Sequence, residues 1–485
     1  MTRAFPDDPF LSGNFAPWRM EGEARDLLVR GEIPPELEGT LYRNGPNPQF
    51  PPRGAYHWFD GDGMIHAFSF SDGRVGYRNR WVRTPRFQAE RAAGRSLFGG
   101  LQEMAASDPS VEGLSRCAAN THVVWHAGRL LTLWEAGLPT EIDPESLETR
   151  GGFDFDGRLV VRRDPELAAA LGVTEVEPGS MTAHPRRDPA TGELLFFGYG
   201  AFPPHLVHHV AGRDGRLLRS VPIATPFPSM IHDFLATPSH VIFPVFPAVL
   251  DPARVAQGLP LVAWEPERGT HVGVMPRQGG PADLVWLRGD PCYAYHFLDA
   301  ESDGPRVALE LVRYPVLPLF GAPGEGPGAL VRWQLDLEAG ALKEEVLDDL
   351  PVEFPRFDER RAGRGARQAF TAACLDGADR GPGGAPFVFD AIVHYDLASG
   401  ARRAHRLPRG SSTGEPVFVP RSPEAAEGEG FLLALVYRAG EGRSDLLVLD
   451  AQNVEAEPLA TALLPHRIPY GFHGNWVPAH REAAL

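Results

Sequence analysis

Thiols are scarce in this chain. Its three cysteines, Cys117, Cys292 and Cys374, stand far apart in 485 residues and form no CxxC pair. That excludes a disulfide framework and a thiolate zinc site, and leaves them as small apolar core residues. Basic charge is short as well: 47 Lys and Arg against 63 Asp and Glu give a net charge of -16. Nothing in that balance neutralises a phosphate backbone, so no nucleic-acid partner is expected. No apolar run of about 18 residues occurs, so no transmembrane helix is expected. The segment from Met1 to Pro9 lacks the apolar stretch of a secretory leader, which makes a cytoplasmic protein the default. No Gly-x-Gly-x-x-Gly follows a strand pattern, so a dinucleotide cofactor has no cradle.

Apolar and turn residues are plentiful. Hydrophobic residues make up 43%, enough for a sizeable core at this length. The 53 Gly and 48 Pro supply many turns while staying below the share that marks low-complexity disorder. Short β-rich runs closed by Asp, Gly or Pro recur at 130–135, 216–223, 331–337, 341–347, 392–397, 401–407 and 446–450, the pattern of successive hairpins. Helical candidates are few, at 164–171 and 422–427. The apolar, Pro-rich stretches 243–250 and 314–323 read as long loops, as does 96–101. Hairpins over the whole length predict an all-β repeat fold, a propeller at this size. No linker splits the chain, so residues 1–485 read as a single β-propeller domain, with loops and short helices as a cap over one face.

Four of the 17 histidines stand in apolar or turn settings: Met-Thr-Ala-His184-Pro, Met-Ile-His232-Asp-Phe, Tyr-Ala-Tyr-His296-Phe and Tyr-Gly-Phe-His473-Gly. Three glutamates have similar surroundings: Leu-Trp-Glu135-Ala-Gly, Pro-Val-Glu353-Phe-Pro and Gly-Glu415-Pro-Val-Phe. In chain order the seven are 48 to 64 residues apart, against about 69 per blade if seven four-stranded blades share the chain. One axial residue per blade would give such spacing and would bring all seven to the central channel. Neutral imidazole suits a borderline divalent metal such as Fe, Zn, Cu or Ni. Four imidazoles leave the metal its full charge and two open octahedral positions. A metal-bound imidazole needs its other nitrogen held, often by a carboxylate. The pairs expected are Glu135 with His232, Glu353 with His296, and Glu415 with His473, which leaves His184 without one. For Glu353 a plain salt bridge to Arg356 competes with that role.

The chain resembles the carotenoid cleavage oxygenases over nearly its whole length. The resemblance begins at Gly31-Glu-Ile-Pro-Pro-Glu-Leu-Glu-Gly-Thr-Leu-Tyr-Arg-Asn-Gly-Pro-Asn-Pro48. It runs through His57-Trp-Phe-Asp-Gly-Asp-Gly-Met-Ile-His66 and ends at His473-Gly-Asn-Trp476. It implies a seven-bladed β-propeller and one Fe(II) on His184, His232, His296 and His473, the metal-ligating and catalytic residues. It also implies Glu135, Glu353 and Glu415 behind those imidazoles, and a methyl of Thr121 shielding one metal position. The seven residues are singled out with this family in view, so their spacing supports the reading without proving it. Asp60-Gly-Asp-Gly63 resembles the start of an EF-hand loop but lacks the remaining ligands, and reads as a tight turn.

The resemblance implies a dioxygenase that cleaves a C=C bond into two carbonyl products. Such a reaction is redox-balanced with O2 as co-substrate, so NAD, flavin and 2-oxoglutarate are not needed. The substrate expected is an apolar conjugated small molecule, a carotenoid or apocarotenoid, in a tunnel lined by Phe59, Trp134, Phe234 and Phe297, with Phe87 and Phe98 as further candidates. Stilbene-cleaving relatives carry a Lys immediately before the counterpart of Glu135, where it helps hold a phenol. Trp134 stands there, which disfavours a phenolate and leaves a stilbene or an isoeugenol-like phenylpropene as the alternative. Isomerisation at the same iron site stays open. A metal-free binding scaffold would have no need to bury four His, and a Ca²⁺ hydrolase would gather oxygen ligands instead. No obligate protein partner is evident. The loops at 96–101 and 243–250 read as a roof over the propeller or as a peripheral membrane contact, to which the acidic balance lends no attraction.

Overall fold

The computed structural model describes residues 4–320, 324–376 and 388–479. The hairpins form where the turn chemistry dictates. In the connection after strand Ala329–Asp336, Asp336 accepts from the backbone N–H of Glu338 and Ala339, and Gly340 takes φ 65°. The connection after Ala391–Asp396 repeats the device with Asp396 and Gly400, φ 73°. A carboxylate that mimics a turn carbonyl, followed by a residue free to adopt the left-handed region, reverses the chain in a few residues.

Seven antiparallel sheets of four or more strands result, arranged as a seven-bladed propeller. Four of them are built from consecutive strands, spanning 122–152, 186–223, 297–348 and 352–406, and a fifth, spanning 235–289, is interrupted by the separate hairpin of Ala248–Leu250 with Val262–Trp264. The remaining two exchange strands between the chain ends. Gly474–Pro478 pairs with Gly39–Pro46, placing Leu41 opposite Trp476, and Leu28–Gly31 pairs with Ala460–Leu463, placing Val29 opposite Ala462. The ring is thereby closed by hydrogen bonds at two places. Apolar side chains between neighbouring sheets form the core; one cluster alone joins Leu235, Val274, Leu309, Val331 and Val393 from three sheets.

The first strands of neighbouring sheets touch around the axis, and each begins beside a residue of interest. Arg186–Arg187 follows His184, Leu235–Ala236 follows His232, and Phe297–Asp303 follows His296. Gly474–Pro478 follows His473, Val417–Pro420 follows Glu415, and Val352–Phe357 contains Glu353. The second blade departs from this rule. Its inner strand, His122–His126, begins after Thr121, whereas Glu135 follows the second strand, Arg129–Leu133. Thr121, and not Glu135, holds the axial position there.

Other departures have local causes. Asp164 accepts from the N–H of Glu166 and Leu167 and caps helix Pro165–Leu171, as its sequence suggests. Residues 422–427 form turns and no helix, and helices Pro85–Ala93 and Pro252–Ala256, each opening on a proline, lie outside the helical candidates. Residues 243–250 lie in two strands, His240–Val245 and Ala248–Leu250, with Pro247 at the break. Residues 314–320 are irregular, and 321–323 fall outside the described residues. Leu97, Phe98, Phe243, Phe246 and Leu250 are buried, so their apolar side chains face inward. No helix among the described residues is long and apolar enough to cross a membrane.

Candidate metal centre

His184, His232, His296 and His473 converge on the propeller axis, with one ligating nitrogen from each ring within 4.8 Å of the others. Nε2 of His184 lies 3.0 Å from Nε2 of His232, and Nε2 of His296 lies 3.1 Å from Nε2 of His473. Behind three of the rings stand carboxylates. Nδ1 of His232 is 2.5 Å from Glu135, Nδ1 of His296 is 2.5 Å from Glu353, and Nδ1 of His473 is 2.9 Å from Glu415. The fourth ring, His184, faces no carboxylate at hydrogen-bond distance among the described residues.

These contacts fix the tautomers. An imidazole donating Nδ1–H to a carboxylate presents a bare lone pair at Nε2 when neutral. Lone pairs pointed at each other across about 3 Å repel unless a cation stands between them. Two nitrogens about 2.1 Å from one ion and at right angles would be about 3.0 Å apart, which matches both measured separations. The donor set therefore fits a borderline divalent metal, iron included.

Electrostatics agree. Burial holds His184 far below the ordinary imidazole value, with repulsion from His473, His232 and His296 adding to it. Burial also holds His473 well below its ordinary value, although Glu415 opposes the shift. Burial lowers His296 too, but the charge and hydrogen bond of Glu353 more than offset it and leave the ring raised. The proton held there is one that a metal would displace. Glu415 is pushed up by burial, yet Arg356 at 3.0 Å and His473 outweigh that and keep it well below the usual carboxylate range.

A cavity of about 540 Å³ opens beside the cluster, with His232, His296 and His473 in its wall. Thr121 lines it, and its carbonyl accepts from the N–H of His473 at 3.2 Å. Phe59 and Trp134 line it as well. Phe234 and Phe297 do not: Phe234 stacks on Phe243 at 5.8 Å, and Phe297 packs against Phe246 in the core. Phe297 is the strand neighbour of His296, and successive strand residues face opposite sides. Phe87 packs on Trp81, and Phe98 against Leu97 and Val111, both away from the cavity.

Sequence reading missed the phenols that share the carboxylates. The hydroxyl of Tyr199 donates to Glu135 at 2.7 Å and that of Tyr314 to Glu353 at 2.9 Å. It also missed Tyr295, Phe354 and Phe472 in the cavity wall. Phe354 has φ 56°, in the left-handed region that a bulky side chain rarely adopts, and its ring sits 5.5 Å from both His296 and His473. Only the positions of Tyr295 and Phe472, each directly before a histidine of the cluster, signal a place at the site.

The model of the family described as retinal pigment epithelial membrane protein matches residues 15–478. This chain belongs to that family, the carotenoid cleavage oxygenases. Among them it is 38% identical to an isoeugenol monooxygenase of Pseudomonas nitroreducens, covering 99% of this chain and 100% of that one. It is 36% identical to a carotenoid cleavage oxygenase of Mycobacterium tuberculosis, covering 97% and 98%. The crystal structure of a lignostilbene dioxygenase of Pseudomonas brassicacearum superposes with a TM-score of 0.90 at 35% identity, covering 99% and 100%. Like its relatives, this carotenoid cleavage oxygenase family member is an oxidoreductase of the oxygenase kind.

Proposed function

We propose that this chain is a non-haem Fe(II) dioxygenase that uses O2 to split a C=C bond of an apolar conjugated substrate into two carbonyl products. His184, His232, His296 and His473 are the ligands, and Glu135, Glu353 and Glu415 hold three of their rings. The observation that carries this reading is the convergence of four imidazoles, three of them in the wall of a largely aromatic cavity. Bound Fe(II) supplies activation of O2 next to the alkene. The protein's share is positioning and exclusion of water. Aromatic walls seat the conjugated chain, Thr121 occupies one approach to the four nitrogens, and the carboxylates set which ring nitrogen is bare. Both oxygen atoms of O2 end in the two carbonyls, so no external reductant enters.

A carotenoid or apocarotenoid is the substrate class favoured by the apolar lining and by Trp134, which stands before Glu135. A phenylpropene is the second reading, supported by full-length relatives named isoeugenol monooxygenase at 38% and 36% identity. Either way the substrate is not held by an ammonium group. The sole lysine of the sequence, Lys343, lies exposed on strand Ala341–Asp348, the outermost of its sheet.

The test is anaerobic reconstitution with Fe(II), then product analysis under O2 with a β-apocarotenal, isoeugenol and resveratrol in parallel. Cleavage of the apocarotenal supports the first class, and cleavage of isoeugenol the second. Cleavage of resveratrol alone would overturn both substrate assignments while keeping the chemistry. Binding of iron with no cleavage of any of the three would count against the dioxygenase reading. His296→Ala should lose iron and turnover together; full turnover in that variant would overturn the ligand assignment.

A further inference from the structure

His57 is the one imidazole in the cavity wall that stands apart from the four-nitrogen cluster and its carboxylates. It is 6% exposed. Its orientation is set from both ends of the residue. Nδ1 accepts from the N–H of Phe59 at 3.3 Å, while its backbone N–H donates to Asp60 at 3.1 Å, a reciprocal cap on the helical turn Trp58–Asp60. A ring that accepts at Nδ1 carries its proton at Nε2. Burial pushes His57 down to about 3, so the ring is neutral in ordinary buffers. Its Nε2–H donates to no group among the described residues, and the atom is not fully enclosed, as befits a ring in the cavity wall. A donor left open in an apolar cavity wall is free to pair with a ligand oxygen, and a site that offers one discriminates against analogues lacking that oxygen.

The neighbours show what reaches it. Phe10 at 5.1 Å, Phe59 at 4.4 Å and Phe320 at 5.7 Å surround the ring. A file of rings then leads to the metal centre: Phe59 to Tyr295 at 6.2 Å, and Tyr295 to His232 at 5.4 Å. The aromatic wall between His57 and His232 is thus three ring contacts long and fits a flat conjugated body.

We infer that Nε2–H of His57 is the anchor for an uncharged acceptor oxygen on the substrate, at the end remote from the bond that is cleaved. This rests on the dioxygenase reading and adds a specificity determinant to it. The ligand class is a conjugated alkene bearing a methoxyl, hydroxyl, ketone or aldehyde oxygen. A single neutral N–H recognises such an oxygen by geometry, where an ammonium would select a phenolate by charge. A phenylpropene and an apocarotenal both carry that chemistry.

Two matched ligand pairs test the anchor: isoeugenol against 1-phenylpropene, and a β-apocarotenal against the polyene with a methyl in place of its aldehyde. For each, kcat/KM is measured on the Fe(II)-loaded enzyme, and Kd is measured separately by quenching of the cavity tryptophans Trp58 and Trp134. The wild type should prefer the oxygenated member of at least one pair by about tenfold, and which pair responds identifies the source of the oxygen. His57→Phe should abolish that preference, with the oxygenated member losing more than the oxygen-free one and with full iron content. His57→Gln, which keeps a donor and an acceptor, should restore part of it. An equal loss for both members in His57→Phe, or no oxygen preference in the wild type for either pair, would overturn the anchor. If no compound is cleaved but the oxygenated ligand still binds more tightly in a His57-dependent way, the anchor stands and the dioxygenase reading fails.

Discussion

The three carboxylates behind the histidines are alike in role and unlike in surroundings. Glu353 receives hydrogen bonds from His296, from the hydroxyl of Tyr314 and from the N–H of Phe354. Glu415 receives His473 and the N–H of Gly474, but also forms an ion pair with Arg356, both side chains being buried. Replacing Glu353 by Gln keeps an acceptor for Nδ1 of His296 and strands no cation. Glu353→Gln should therefore hold iron at saturating Fe(II), with turnover reduced about 10- to 100-fold and the melting temperature nearly unchanged. Glu415→Gln leaves the buried Arg356 with the exposed Glu359, at 2.6 Å, as its remaining counter-charge, so the loss costs less than the about 3–5 kcal/mol of stranding a buried charge outright. It should lower stability and turnover together. Iron content, turnover and thermal melts on the two variants decide the matter, and equal melting behaviour would show that Arg356 is not stabilised by Glu415.

At the scale of elements, the ligands are held by a side chain that sequence patterns do not reveal. Arg186, two residues past His184, contacts both carboxylate oxygens of Asp233 at 2.8 and 2.7 Å. It also donates to the carbonyls of Phe234 at 2.9 Å and Phe297 at 3.2 Å. Asp233 accepts in turn from the N–H of Phe297 at 2.9 Å. One guanidinium thus ties the backbone directly after His232 and His296 to the strand after His184. Arg186→Ala should weaken Fe(II) affinity by tenfold or more, as loss of outer support at metal sites does, measured by chelator competition on the folded protein. A purely structural role would lower the melting temperature and leave that affinity alone. The hairpins were legible because Asp, Gly and alternating apolar residues report on local geometry. The inner strands were not, because Arg186–Arg187 and Leu235–Ala236 are too short to show a period. The four histidines and three glutamates could be named from motifs, yet their spacing suggested one per blade. Glu135 breaks that rule by reaching His232 from past a second strand. Phe234 and Phe297 were misread because adjacency to a ligand in sequence is not adjacency to the cavity.

For the whole molecule, the site exists only while the ring is closed, since its four imidazoles precede strands of four different sheets and the chain ends pair across the closure. Metal binding is then linked to folding. Fe(II) at about 100 times its Kd should stabilise the propeller by about 2.7 kcal/mol, seen as a melting temperature a few degrees higher than in chelator. The fold also holds a buried acid away from the metal ligands. Asp299, on strand Phe297–Asp303, is 2% exposed and accepts from the N–H of Gly363 at 2.8 Å. Its Oδ2 has no partner among the described residues. Burial pushes this carboxyl up to about 7, which the Gly363 bond and the charge of Arg186 only partly counter and the charge of Glu310 reinforces. A carboxyl raised in the folded state binds more protons there than in the unfolded chain. Its burial is therefore harmless below about pH 4, where both states are protonated, and costs progressively more between about pH 4 and pH 7. Above pH 7 the cost levels off at up to about 4 kcal/mol. Asp299→Asn removes the titration and keeps an acceptor for Gly363. The variant should gain stability over the wild type as pH rises from 5 to 8, read as the difference in denaturation midpoints at equal iron loading. Groups common to both proteins cancel in that difference, so a gap that stays constant with pH would mean that Asp299 is ionised in the fold across the whole range.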